Sequence, residues 1–339
     1  MSIFGLGNPL LDVSVNATDE LLAKYELTCP NAILAEDKHI PLYDEIRQES
    51  AKPVYTAGGS CQNSIRVAQW MLNTPGATGF TGCVGTDAPA ETLSKCIKAD
   101  GVTPYYVHRS DLRTGCCAVL IKDNDRSMVT DLQAASSFKL EDLAASTEAA
   151  AKADIVLVEG YFLTVSQDSV VALAKQQMAK GKTFAFSLSA PFICQFFTEG
   201  VKAVMEYTDL VFGNETEAEL IAQALGWDLG TDHVAIAKKL AAYPFAEGVK
   251  ANRKVVITRG AQDVVVATAD VATTYPVPLI PKEEMVDTNA AGDSWSGGFI
   301  AALAKGKSDE VCVKAGNYAA GYIIRRDGCS LETPSTFEF

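Results

Sequence analysis

The residues best placed to do chemistry lie in one segment, Asp287-Thr288-Asn289-Ala290-Ala291-Gly292-Asp293-Ser294-Trp295-Ser296-Gly297-Gly298-Phe299. Small side chains run directly into an amphipathic helical pattern. A helix start leaves N–H groups unpaired and carries about half a positive charge. Side chains without bulk let a phosphate approach that backbone. Asp293 would repel such an anion unless it has a task. Accepting the proton of an attacking hydroxyl is one. The same residues also suit a capped helix with an acidic first turn, and local features do not separate the two readings.

Four other stretches carry chemistry of their own. Asn8-Pro9-Leu10-Leu11-Asp12 offers two polar side chains after a first strand, suited to vicinal hydroxyls, or simply an Asn-Pro turn. In Ala57-Gly58-Gly59-Ser60-Cys61-Gln62-Asn63 the paired glycines admit close approach of a ligand, or form an ordinary loop. Asn214-Glu215-Thr216-Glu217 fits a helix capping box, and a capping Glu can also orient metal-bound waters. Thr258-Arg259-Gly260 leaves a buried strand and is either a ligand loop or a plain exit turn.

Several classes are excluded. The chain contains no G-x-x-x-x-G-K-[S/T], no G-x-S-x-G and no H-E-x-x-H. Its only histidines, His39, His108 and His233, are far apart. Gly5-Leu6-Gly7 begins a dinucleotide fingerprint, but Leu10 stands where the third glycine belongs. The net charge of −13 over 339 residues disfavours nucleic acid and anionic membranes as partners. Nine scattered cysteines without a C-x-x-C pair suggest reduced thiols. No Lys or Arg precedes Lys24, and no uncharged apolar run nears the ~18 residues of a membrane span. A cytoplasmic monomer is the expectation.

Elements that could position these residues follow from periodicity. Ile155–Val158, Thr183–Phe186, Leu210–Phe212 and Val255–Thr258 read as short buried strands. Ser166–Lys180, Pro191–Tyr207, Glu215–Leu225, His233–Ala242, Ala291–Lys305 and Ser308–Arg325 read as helices. The alternation predicts an α/β fold, a mainly parallel central sheet with helices on both faces. Gly115–Ile121 and Ser127–Leu132 read as a hairpin turning over residues 122–126, which places Arg126 in a solvated turn. About 11–55 looks irregular and charged. Residues 11–55 and 113–134 are therefore expected to form a small α/β subdomain. Residues 1–10, 56–112 and 135–339 form the large domain.

Asp287–Asp293 resembles the D-T-x-G-A-G-D signature of the ribokinase family of sugar and nucleoside kinases. The resemblance implies a ribokinase-like fold with the small subdomain as a lid, ATP as phosphate donor, and Mg2+. It implies Asp293 as catalytic base and an anion hole at Ala290, Ala291 and Gly292. Ala290 departs from the family's glycine and would be strained if that position needs φ > 0. Asn8, Asp12, Gly59 and Asn63 would hold a ribose, with Gly58, Ser60 and Asn289 beside it. Asn214 and Glu217 match the family's N-x-x-E near magnesium, with Glu217 acting through water. Thr258 and Gly260 would lie along the nucleotide, Asn317 near the ATP base, and Arg126 would swing onto the phosphates. The loop Arg326–Ser330 is similar to the family's monovalent-cation loop, a possible K+ site.

Within the family the resemblance is to members that phosphorylate adenosine. It rests on Gly7-Asn8-Pro9-Leu10-Leu11-Asp12, Ile33-Leu34-Ala35-Glu36-Asp37-Lys38-His39, Gln62–Trp70, Phe162-Leu163-Thr164-Val165-Ser166, Leu188-Ser189-Ala190-Pro191-Phe192 and Phe212–Ala218. It implies adenosine as acceptor, its base held by Leu34, Leu132, Phe162 and Phe192 with Leu10 and Cys117 nearby. A related kinase for another nucleoside or a sugar, or a nucleoside sensor without turnover, are the alternatives.

Overall fold

The computed structural model describes residues 1–29, 31–122, 125–249 and 252–339. Its central sheet has nine strands. In spatial order they are Ala272–Tyr275, Gln262–Ala267, Lys254–Arg259, Leu210–Asn214, Thr183–Ser187, Ile155–Glu159, Ile3–Leu6, Thr78–Thr81 and Thr103–Pro104. All neighbours from Lys254–Arg259 onward pair in parallel, and the first three strands pair antiparallel. The mainly parallel sheet is as the alternation predicts.

The strands are apolar throughout because both faces are covered. Their period of two divides the core. Phe4, Leu6, Val156, Val158, Phe184, Phe186 and Val211 face one layer of helices. Ile3, Ile155, Leu157, Ala185, Leu210, Phe212 and Val256 face the other, with helices Ser60–Leu72, Ala291–Ala304 and Asp309–Ile324. At the carboxyl edge the apolar run gives way to Glu159, Ser187, Asn214 and Thr258. Register sets them side by side, Glu159 opposite Ser187 and Asn214 opposite Thr258. Ligands of open α/β sheets bind at this edge.

A second sheet has the order Asn31–Leu34, Asp125–Asp131, Cys116–Lys122, Leu10–Asn16, Val54–Gly58. The stretch expected to be irregular is thus mostly regular. Leu10–Asn16 alternates, burying Leu11, Val13 and Val15 while Asp12 and Ser14 point into a cavity. The turn residues Asp123 and Asn124 lie outside the described residues. Arg126 is not in a turn. It sits in the strand, opposite Ile121, and is 8% exposed.

Two helix boundaries differ from expectation. Pro191–Tyr207 is two helices, Pro191–Phe196 and Thr198–Met205, broken at Phe197. There the Thr198 hydroxyl donates to the Cys194 carbonyl, competing with the backbone ladder. The next helix upstream runs over Leu163–Ala179, with non-helical Ser166 between its first turn and its body. None of the nine cysteines forms a disulfide.

Three glycines set the helix spacing that the site needs. A Cβ on Gly297 would lie 2.4 Å from the Ser64 carbonyl of helix Ser60–Leu72. One on Gly298 would lie 2.5 Å from the Ala315 carbonyl, and one on Gly316 would lie 2.7 Å from the Trp295 ring. Helix Ala291–Ala304 is therefore pressed between its neighbours at backbone contact. Gly297→Ala should destabilise the protein by about 1–3 kcal/mol through overpacking, despite the better helix propensity of alanine. Urea denaturation checks this, and unchanged stability would show the helices to be less tightly packed.

Candidate active site

Asp293 is the third residue of helix Ala291–Ala304. Ser60 Oγ donates to its Oδ1 at 2.6 Å and Asn63 Nδ2 to its Oδ2 at 3.3 Å. Both partners come from the start of helix Ser60–Leu72, three residues apart and so on one face. Burial pushes the Asp293 carboxyl up to about 6, and the two hydrogen bonds restrain the rise. No cation pairs with this carboxylate among the described residues.

Ala290 caps the helix at φ +59° and ψ +8°, in the left-handed region. The position does need φ > 0, and alanine occupies it. The helical ladder begins with Ser294 N–H on the Ala290 carbonyl. The Ala291 N–H turns back to Thr288 at 3.3 Å. Gly292 and Asp293 sit in the first turn, where N–H groups have no partner within the helix. A Cβ on Gly292 would meet nothing, so that approach is open.

Two cavities meet at Asp293 and Ser60. The larger, of about 700 Å3, is bounded by Leu10, Asp12, Gly59, Asn63, Cys117 and Arg126, among others, with Asn289 and Ala290 at its floor. The second sheet roofs it with alternate residues, including Val119, Met128 and Thr130. The smaller, of about 80 Å3, is bounded by Glu159, Asn214, Glu217, Thr258 and Gly292.

Asp12 faces the larger cavity. Burial raises its carboxyl to about 7, Arg66 opposes the rise and Asp293 adds to it. A Cβ on Gly58 would fall 2.1 Å from the Asp12 carboxylate. Gly59 has φ +91°, and a Cβ there would lie 2.1 Å from the Asn8 carbonyl. Only glycine fits at 59, and a side chain at 58 would have to displace the Asp12 carboxylate. Asn8 lies behind Gly59, with its Oδ1 buried and unpaired.

Asn214 and Glu217 form a complete capping box. Glu217 accepts from Asn214 N at 3.0 Å and Nδ2 at 2.9 Å, and returns its N–H to Asn214 Oδ1 at 2.9 Å. Burial lifts the Glu217 carboxyl to about 7. Thr258 Oγ1 lies 3.5 Å from the Gly213 carbonyl.

Other expected residues lie elsewhere. Phe162 is 1% exposed and packs edge-on against Phe138, within the core. Leu34 is 66% exposed and Phe192 40% exposed. Leu132 stands near Leu10 across Gly115, half-buried, but does not bound the cavity. These four side chains do not form one lining. Asn317 accepts from Trp295 Nε1 at 2.8 Å and donates to the Pro276 carbonyl. Gly260, at φ +56°, turns between two strands and borders neither cavity.

Two further residues tie the site together. Buried Arg66 donates to the Asn63 side chain, to the carbonyls of Ala57 and Cys329, and to Asp100. Asp287 accepts from Asn289 N at 2.8 Å and Gly328 N at 3.0 Å, and pairs with Arg126 at 3.3 Å. Arg126 also pairs with Asp327. A residue on the second sheet thereby holds two loops that lie outside that sheet. Both roles are tertiary, and the only sequence signal is Asp287 opening the small-residue segment.

Left-handed backbone costs a non-glycine residue about 1–2 kcal/mol, part of which glycine returns through its freer unfolded chain. Ala290→Gly should therefore stabilise the protein by about 0.5–1 kcal/mol in urea denaturation. A loss of stability would show that the Ala290 methyl, packed on the core, outweighs the strain.

The pfkB family carbohydrate kinase model matches residues 19–336. Adenosine kinase 2 of Arabidopsis thaliana is 44% identical over 337 residues, covering 99% of this chain and 97% of that protein. Anopheles gambiae adenosine kinase, solved with P1,P4-di(adenosine-5) tetraphosphate, superposes with a TM-score of 0.87 at 41% identity, covering 99% and 98% of the two chains. Apo adenosine kinase of Trypanosoma brucei brucei superposes at 0.91 with 33% identity, covering 96% and 99%. The chain belongs to the pfkB family of carbohydrate kinases, in the branch that holds the adenosine kinases.

Proposed function

We propose that this protein phosphorylates the 5′-hydroxyl of adenosine with ATP, giving AMP and ADP. The observation that carries this reading is the place of Asp293, a carboxylate shared by two cavities at a helix start. A nucleoside in the larger cavity would bring its hydroxyl to Asp293 from one side. The terminal phosphate would enter the smaller cavity from the other, against the first-turn amides. Asp293 takes the hydroxyl proton as oxygen attacks phosphorus in line. Ser60 and Asn63 hold the carboxylate still, and the first-turn amides stabilise charge on the equatorial oxygens.

Asp12 accepts from the ribose hydroxyls, with Gly58 and Gly59 leaving room for the sugar. The apolar groups Leu34, Leu132, Phe162 and Phe192 would converge on the base only if the second sheet moves. We read that sheet, with its helices, as a lid that closes and excludes water, a competing acceptor. Arg126 already bridges lid and main domain and would exchange a carboxylate for phosphate on closure. Glu217 suits Mg2+ through water, because both its oxygens already accept capping hydrogen bonds. Bound there, the ion would offset phosphate charge. A K+ ion at the Arg326–Ser330 loop would be held by backbone carbonyl oxygens.

Asp293→Asn should lower kcat at least ~100-fold, the usual size of a general-base effect, while adenosine affinity in calorimetry stays within about 3-fold. In wild type, kcat should rise with pH through about 6, because the base acts only when ionised. ADP release should require adenosine, with inosine, guanosine and ribose far slower. Full activity of Asp293→Asn would remove the base assignment, and preference for another acceptor would change the substrate.

Asp12 gives a second pH test. Its carboxyl, raised to about 7, must lose its proton to accept two hydroxyls. Adenosine affinity should therefore increase from pH 6 to pH 8 and flatten in Asp12→Asn. A wild-type affinity that does not vary over this range would show that Asp12 is not the ribose acceptor.

A further inference from the structure

One buried acid has no task in the mechanism above. Glu159 ends the central strand Ile155–Glu159, is 3% exposed, and borders the smaller cavity beside Asp293. Ser64 Oγ lies 2.9 Å from its Oε1 and 3.3 Å from the Ser60 carbonyl. Its Oε2 is buried without a hydrogen-bond partner. The titratable groups facing it are Asp293 and Glu217 from two helices, Cys61 from a third, and Tyr161 from the following turn. All are acids.

A count of hydrogens narrows the state of Glu159. A serine hydroxyl has one to give. An ionised Glu159 would take it from Ser64, compete with Asp293 for the Ser60 hydroxyl, and hold a negative charge out of water with only acids around it. A neutral Glu159 removes the charge and leaves only an uncharged carbonyl oxygen, Oε2, without a partner. Its O–H donates to Ser64 Oγ, and Ser64 donates to the Ser60 carbonyl. Ser60 Oγ then donates to Asp293 at 2.6 Å. Burial and the neighbouring Asp293 charge push the Glu159 carboxyl the same way, well above the usual carboxylate range. Apolar burial can hold a carboxylic acid neutral at pH 7 as a hydrogen-bond donor.

We propose that Glu159 is a positioning residue for the phosphoryl transfer, a neutral carboxyl that fixes Ser64 and Ser60 and so aims Asp293. By staying neutral it also keeps a second negative charge away from the phosphate. The inference rests on Asp293 acting as base. When Glu159 ionises in alkali its proton passes to solvent, Ser64 turns toward it, and the new charge opposes the incoming phosphate. Turnover therefore falls on the alkaline side as well as below about pH 6.

The test is kcat and both KM values from about pH 5.5 to about pH 9.5 for wild type, Glu159→Gln, Glu159→Ala and Ser64→Ala. Gln keeps a neutral donor, so Glu159→Gln should hold kcat within about 3-fold at pH 7 and lose the alkaline fall. Glu159→Ala and Ser64→Ala should each lower kcat about 10-fold, with adenosine KM little changed. Three results would overturn the proposal: an alkaline fall that persists in Glu159→Gln, a Gln variant as slow as the Ala variant, or an Ala variant with wild-type kcat and pH profile. Should Glu159→Ala fail to fold, the alkaline limb of Glu159→Gln decides. Asp293→Asn in the same series separates failure of the base from failure of this role, since it alone should abolish turnover at every pH.

Discussion

Everything around the site answers one electrostatic problem, how to hold a half-buried carboxylate between two cavities with no cation on it among the described residues. A paired Arg or Lys would keep Asp293 ionised, but it would also lower its proton affinity and so weaken the base we propose it to be. Hydroxyl and amide donors from Ser60 and Asn63 are a milder solution. They leave the group at about 6, near the range in which a base is both ionised and useful. The solution demands that two helices meet almost at van der Waals contact of their backbones. Gly297 permits it on one side, and Gly298 and Gly316 on the other. Packing and proton affinity are therefore the same constraint.

The cations that the site does own are set one step back. Arg66 reaches Asn63 rather than Asp293, fixing the amide so that its NH2 faces the carboxylate. It also moderates Asp12 from a distance. Arg126 is held by Asp287 and Asp327 across the mouth of the larger cavity. A chain with net charge −13 can attract a polyanion only through local features such as oriented amides and a guanidinium at the cavity.

Much of this was legible before the fold was seen, for physical reasons that differ by residue. The central strands are apolar on both faces, and their runs of β-branched residues announce them. Asn214 and Glu217 are legible as a cap, which they are, and any metal role would ride on the same geometry. The stretch from Leu11 reads as irregular in sequence because Asp12 and Ser14, which look like a solvated face, line a cavity instead. Arg126 reads as a turn residue in sequence because one polar stretch hides where a hairpin's strands end. Glu159 and Arg66 gave no signal at all. Each has a partner more than a hundred residues away, Asp293 for one and Cys329 for the other, that no local pattern announces. Phe162 shows the opposite limit, since a buried aromatic side chain reads alike whether it lines a pocket or fills a core.

Ala290 joins these threads. A left-handed alanine is tolerated only where its surroundings over-determine the backbone. Here Asp287 grips the turn at Asn289 and at Gly328, and Ser294 closes the helix onto the Ala290 carbonyl. The turn is held at both ends before residue 290 has any choice of φ. Strain at one residue is thus offset by contacts made by its neighbours, and the first-turn amides keep their direction. The departure from glycine costs stability in the whole protein and not geometry at Asp293. A site whose position is set by helix–helix contact can bear such a change, whereas one set by the loop alone could not.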